Sequence, residues 1–123
     1  MNCYYVDELA ADVAGNVYAG VWLTNAAGVA STNNIAKWNG SVWTNIGLGM
    51  NSVSTLAVDG IGNLYAGGSF TNAAGVSAKH IAKWNGSVWT NLGSGIEGPV
   101  SALALDGAGN VYAGGYFTQA GGV

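Results

Sequence analysis

Ten side chains can carry charge near neutral pH: Asp7, Glu8, Asp12, Asp59, Glu97, Asp106, Lys37, Lys79, Lys83 and His80. Three of the acids recur on a fixed spacing. Asp12, Asp59 and Asp106 stand 47 residues apart, and each is followed four positions on by an asparagine (Asn16, Asn63, Asn110). Carboxylates brought together could do acid–base work, and acidic loops can hold calcium. Calcium, however, wants about six to eight oxygens with several acids in one loop, and each loop here has one. Asp and Asn bonding to their own turn explain the pattern without a ligand. His80 has no second His or Cys nearby in sequence to complete a metal site. Cys3 aligns with Met50 and Ile96 and has no histidine partner in reach, so it reads as a small apolar residue rather than a nucleophile. Asp59-Gly-Ile-Gly-Asn63 is not a phosphate loop, because neither a helix nor Lys-Ser/Thr follows it. No serine sits in a Gly-x-Ser-x-Gly elbow. The expectation is a protein that is not an enzyme and needs no cofactor or metal.

The residues that differ between copies are more informative about binding. Trp22, Ser69 and Tyr116 occupy one equivalent position, and a packed site rarely takes Trp, Ser and Tyr in turn. That position is expected to face a rim. Aromatic faces beside amide-rich loops suit sugars, so Trp22, Tyr116, Asn33 and Asn34 form the expected ligand-binding set, with Asn25 and Asn72 in the same kind of loop. Lys37 and Lys83 alternate with apolar neighbours and read as a solvated strand face that protects an edge.

Charge narrows the partner classes. The chain has 123 residues, a net charge of −3 and only 7% charged residues. It has no arginine and no basic stripe to displace counterions, so no nucleic acid is expected as a partner, nor an anionic membrane surface. No apolar run approaches the ~20 residues of a spanning helix. The first residues lack a basic and then apolar leader, which leaves localisation open. One cysteine cannot make an internal disulfide, so the redox compartment is open too. Half the residues are apolar, which argues against disorder.

These residues sit in an internal repeat. Asp12-Val-Ala-Gly-Asn-Val-Tyr-Ala-Gly20 returns from Asp59 to Gly67 and from Asp106 to Gly114. Ile35-Ala-Lys-Trp-Asn-Gly-Ser-Val-Trp-Thr-Asn45 returns unchanged from Ile81 to Asn91. The first offset is 47 and the second 46, because two connections differ in length by one residue, as surface loops do. Within one period, Ser54–Asp59 alternates as a strand, and a Gly-Ile-Gly-Asn turn leads to a second strand, Leu64–Phe70. A loop leads to a third, Ile81–Trp84, and a tight hairpin to a fourth, Val88–Leu92. An Asn85-Gly86 turn would set Ala82 opposite Trp89, and a Gly86-Ser87 turn would set Trp84 opposite Trp89. Both remain open at this level.

One period is therefore a four-stranded antiparallel meander with no helix. Such a sheet has two apolar faces, and radial stacking buries them. The Gly67-Gly68 and Gly114-Gly115 pairs suit close backbone approach, and Trp38, Trp43, Trp84 and Trp89 are expected between neighbouring sheets. The first copy departs at Gly20-Val21-Trp22-Leu23, where the second glycine is lost and a different shape is expected.

The Gly-Gly strand end with an aromatic in the third strand and a tryptophan in the fourth resembles a kelch-type β-propeller blade. The run from Leu56 to Gly95 is more closely similar to bacterial tandem-repeat propeller proteins, which are distantly like fungal cortical polarity-marker propellers. The resemblance covers about Val6 to Val123. It implies an all-β fold of propeller-type blades in one partial repeat domain over residues 1–123. That domain divides into a blade at about 6–49, a second at about 53–95 and an inner half-blade at about 100–123. Arrays of this kind suggest export if the chain is a piece of a longer protein. Propellers usually need at least four blades to close. The chain is accordingly expected to self-associate, as a dimer first, and to serve as a protein-interaction scaffold. A carbohydrate-binding module using the rim aromatics is the alternative.

Overall fold

The computed structural model describes residues 2–26, 29–30, 33–46, 53–73, 75–93 and 95–117, with the side chains of 2–7, 21–26, 29–30, 33–34 and 45 outside that description. Everything described is strand, turn or loop, and no described helix is long and apolar enough to cross a membrane. The chain is all-β, built from several antiparallel sheets.

The second copy shows the design most simply. Strands β6 (Val53–Val58), β7 (Leu64–Gly68), β10 (Ile81–Trp84) and β11 (Trp89–Asn91) pair in chain order as an antiparallel meander. Apolar and β-branched residues favour the strands, and each reversal carries its own turn chemistry. At the first reversal, Asp59 Oδ1 accepts from the amides of Ile61 (3.1 Å) and Asn63 (2.8 Å), and Gly62 takes φ +94°. At the last, Asn85 Oδ1 accepts from Ser87 and Val88. Gly86 takes φ +102° between them, a backbone conformation that glycine adopts without a Cβ penalty. This settles the hairpin register: Trp84 lies opposite Trp89, with ring centroids 5.6 Å apart. An Asn-Gly turn of type I′ would need Asn85 itself at positive φ, and among described non-glycine residues only His80 is. Within the loop after β7, β8 (Asn72–Ala73) and β9 (Val76–Ser77) pair as a short antiparallel hairpin.

The first copy repeats the meander as β1 (Asn2–Ala11), β2 (Val17–Ala26), β4 (Asn33–Trp38) and β5 (Trp43–Asn45), with the short β3 (Val29–Ala30) also on β2. The lost glycine has a visible consequence. β2 runs ten residues where its counterpart β7 runs five, and β1 follows it with three register shifts. Without the Gly-Gly pair the strand continues rather than breaking. The third copy contributes one hairpin, β12 (Val100–Leu105) with β13 (Val111–Gly115).

The leading strands gather side by side: β6 packs against β1 on one side and β12 on the other. Two apolar seams result. The first joins the β1–β2–β4–β5 sheet (sheet 1) to the β6–β7–β10–β11 sheet (sheet 2) through Tyr18, Ile35, Leu56, Leu64, Phe70 and Trp89. The second is smaller and joins sheet 2 to the β12–β13 hairpin through Ile81, Ile96 and Val100. The expectation that all four repeated tryptophans fill the seams needs correction. Trp89 is buried, while Trp38, Trp43 and Trp84 are half-buried. Trp84 still packs against the first seam from its half-buried place, and Trp89 reaches across it, donating its indole N–H to the Ile46 carbonyl of sheet 1.

Candidate functional site

At the turn end of the sheets, the pairing register builds a polar cluster that is not apparent from linear spacing. Tyr18 lies opposite Lys37 across β2 and β4, and the Lys37 Nζ sits 5.9 Å from the Tyr18 ring centroid. Asp12 lies at the adjoining turn. With Asn16 they line a pocket of about 320 Å³, closed on its far side by Gly60–Gly62 and Gly86 of sheet 2. The second copy repeats the stack, with Lys83 5.8 Å from the Tyr65 ring. A cation over an aromatic face gains roughly 0.5–1 kcal/mol at exposed sites. The lysines read as a solvated face therefore also cover tyrosine rings. The signal that could have revealed this was the pairing Tyr18/Lys37 and Tyr65/Lys83, legible only once the second and third strands are known to be neighbours.

The carboxylates are spent on their own turns. Asp12 Oδ1 accepts from Ala14 N (3.0 Å) and Asn16 N (2.9 Å), and Oδ2 accepts from Asn16 Nδ2 (2.8 Å). Asp59 and Asp106 repeat the arrangement with Asn63 and Asn110. In Asp12 and Asp59, desolvation pushes the carboxyl pKa up. That push is outweighed by the asparagine side chain, by backbone amides and by the facing lysine, so both lie below the ordinary range. In Asp106 the hydrogen bonds from the Asn110 side chain and backbone dominate, with the same downward result. Tyr18 is pushed up, first by burial and then by the Asp12 charge. Both directions move these groups away from proton transfer at neutral pH. Among the described residues, no three His, Cys, Asp or Glu side chains cluster closely enough to hold a metal ion.

A pH dependence follows from the carboxylates. Each folded-state pKa is depressed, so its contribution is present above the unfolded value near 3.8 and is lost as pH falls through the lower, folded value. Thermal unfolding between pH 6 and 2 is expected to show falling stability below about pH 4. An Asp59→Asn variant should start less stable and lose less on acidification. Parallel curves for the two proteins would show that this carboxylate is not linked to folding.

The residues expected to bind sugar lie at the opposite end of the strands. Backbone register sets Trp22 opposite Asn33, and Val21 opposite Asn34, in sheet 1. The side chains of Trp22, Asn33 and Asn34 lie outside the described residues. Tyr116 belongs to the third copy and is 86% exposed, and Ser69 at the equivalent place in the second copy is exposed too. Asn72 spends its side-chain oxygen on the Gly75 amide at 2.7 Å, closing its own loop.

His80 has a structural task. It adopts φ +67°, and its Nδ1 lies 2.6 Å from the Ile96 carbonyl and 3.3 Å from the Gly98 amide. Its own amide donates to Phe70 O, and its carbonyl accepts from Gly68 N. Beside it, the Lys79 carbonyl accepts from Ile96 N, and Lys79 Nζ meets Glu97 at 3.0 Å in an exposed pair worth little by itself. Lys79 and His80 thus clasp the segment that leads into β12. Their counterparts in the first copy are Asn33 and Asn34.

No protein-family model matches the chain, and a search of curated proteins returned no significant match.

Proposed function

We propose that the chain is a β-propeller repeat module of the kelch-like kind, non-enzymatic, which associates with itself and serves as a protein-interaction scaffold. Three features support the propeller reading: the meander repeats, the leading strands gather side by side, and successive sheets meet face to face. These are the relations expected of neighbouring blades. The non-enzymatic reading rests on carboxylates bound into their own turns and on pKa directions unfavourable to acid–base work.

The observation that carries self-association is a difference in burial between copies of the same sequence. Tyr65 is 6% exposed and its counterpart Tyr112 is 59% exposed. Gly67 and Gly68 are buried, while Gly114 and Gly115 are exposed. A face that the second copy buries against a neighbour is thus presented to solvent by the third. Among the described residues β13 also pairs with β12 alone, leaving an uncharged strand edge that favours pairing with another chain. Two chains would bring six inner hairpins together. Light scattering at micromolar concentration should give twice the 12.3 kDa chain mass. A monomer mass would reject self-association.

A carbohydrate-binding role is the second reading, favoured by the exposure of Tyr116. A glycan array should then show binding that Tyr116→Ala abolishes. An array without hits would remove this reading.

A further inference from the structure

The two seams can be compared residue by residue, because the repeat supplies both. In the first, sheet 1 presents Tyr18, Ile35 and the Ile46 carbonyl. Sheet 2 inserts Leu64, Ala66, Phe70, Ala82 and Trp89 against them. In the second, Ile81 stands where Ile35 stands and Leu92 where Ile46 stands. Val111, Ala113 and Phe117 stand where Leu64, Ala66 and Phe70 stand. The counterparts of Ala82 and Trp89 are not among residues 1–123. At their place is an apolar groove of about 490 Å³ lined by Ile81, Leu92, Ile96, Val111, Ala113 and Phe117. Its size falls in the 300–1,000 Å³ range of sites that hold whole ligands, so an indole and its flanking methyl groups fit.

The loss of burial is graded as this comparison requires. Leu64 and Ala66 are fully buried and Phe70 is 2% exposed, whereas Val111, Ala113 and Phe117 are only partly buried. The strand edge next to the groove is open as well. Among the described residues, β7 pairs with β6 and β10, and β13 pairs with β12 only. The Leu92 carbonyl, counterpart of the oxygen that receives the Trp89 indole, accepts the Gly95 amide at 3.0 Å, and a carbonyl oxygen has a second lone pair to offer an indole N–H.

We infer that this groove is a docking site for a tryptophan-bearing β-hairpin of the Ile-Ala-Lys-Trp-Asn-Gly-Ser-Val-Trp type, which adds its first strand to β13 and inserts its last tryptophan between Ile81 and Phe117. The occupant is identified by the seam that the same chain already fills at the same positions. Main-chain pairing to β13 supplies attachment, and the apolar groove supplies selectivity for the indole. The inference rests on the repeat reading in Proposed function and names the partner for one of its open faces. It does not require the ring to close.

An isolated two-stranded hairpin is marginal in water, so the probe is a synthetic hairpin with the sequence of Lys79–Leu92, closed by a disulfide between added terminal cysteines. Titrated into the full chain, it should bind one to one and shift the amide resonances of Val111, Ala113 and Phe117. A probe with alanine at the position of Trp89 should bind at least tenfold more weakly. Leu92→Glu in the protein should likewise abolish binding. If that variant does not fold, the two probes alone decide the matter. No binding at millimolar hairpin, equal binding of the alanine probe, or shifts confined to β1 and β2 would overturn the inference. A monomeric protein that binds the hairpin would reject self-association and keep this site. A dimer that ignores the hairpin would do the reverse.

Discussion

Replacing Trp89 by alanine is expected to remove about 3–5 kcal/mol of folding stability, the usual loss when a buried large aromatic is truncated. Trp89 is 4% exposed and belongs to the larger apolar cluster. Its indole also closes the distance between two sheets by donating to the Ile46 carbonyl. Alanine would leave a cavity at the seam and an acceptor without its partner. A domain of this size has about 5–15 kcal/mol in total, so the variant should be close to unfolded in mild urea. Trp89→Phe keeps most of the apolar area and loses the hydrogen bond, a change of about 1 kcal/mol. Trp43, the same residue in the first copy, is half-buried, and Trp43→Ala should cost clearly less. Urea denaturation of the three variants checks the order. Equal losses for Trp43→Ala and Trp89→Ala would show that Trp89 does not dominate the seam.

Gly67→Ala should destabilise by about 1–3 kcal/mol, the range for overpacking a filled site, while Gly114→Ala should be neutral or slightly stabilising. The two glycines hold the same place in successive copies. A methyl at Gly67 would lie 2.7 Å from the Val100 Cγ1 and 2.9 Å from the Thr55 Cγ2. Both neighbours are buried, so neither can move away freely. A methyl at Gly114 would meet nothing within 4 Å, and there alanine gains by restricting the unfolded chain. Gly20 stands between them: a methyl there meets the Val53 Cγ1 at 3.3 Å. Melting temperatures should therefore rank Gly67→Ala well below the parent and Gly114→Ala at or above it. Equal shifts for the two would mean that hairpin β12–β13 does not press on β7 in solution.

The pairing of Tyr18 with Lys37 and of Tyr65 with Lys83 shows where reading along the chain reaches its limit. The strands and their order were legible, because alternation, Asp-Gly turns and the Asn-Gly-Ser hairpin are local signals. Their register was not. Asn85 and Gly86 each satisfy a turn, and the choice falls to which residue can hold positive φ while the asparagine oxygen caps two amides. His80 was legible as a polar residue at a strand start. Its clasp on Ile96 and Gly98 was not, because it joins residues 16 and 18 positions apart through a folded loop. Ser69 and Tyr116, which hold one position in successive copies, are both exposed.

The amino-acid order alone settles what short-range forces settle: turns capped by Asp and Asn, strands of alternating apolar residues, and a meander repeated along the chain. Those forces act within a few residues, so each copy carries its own instructions. Burial is different, because it depends on what lies opposite. Tyr65 and Gly67 are buried where their counterparts Tyr112 and Gly114 are exposed, and Leu64 is fully buried where Val111 is only partly so. Only the packed arrangement of sheets decides which copy is enclosed by neighbours and which presents its face to solvent, since removal of apolar area from water requires a second surface.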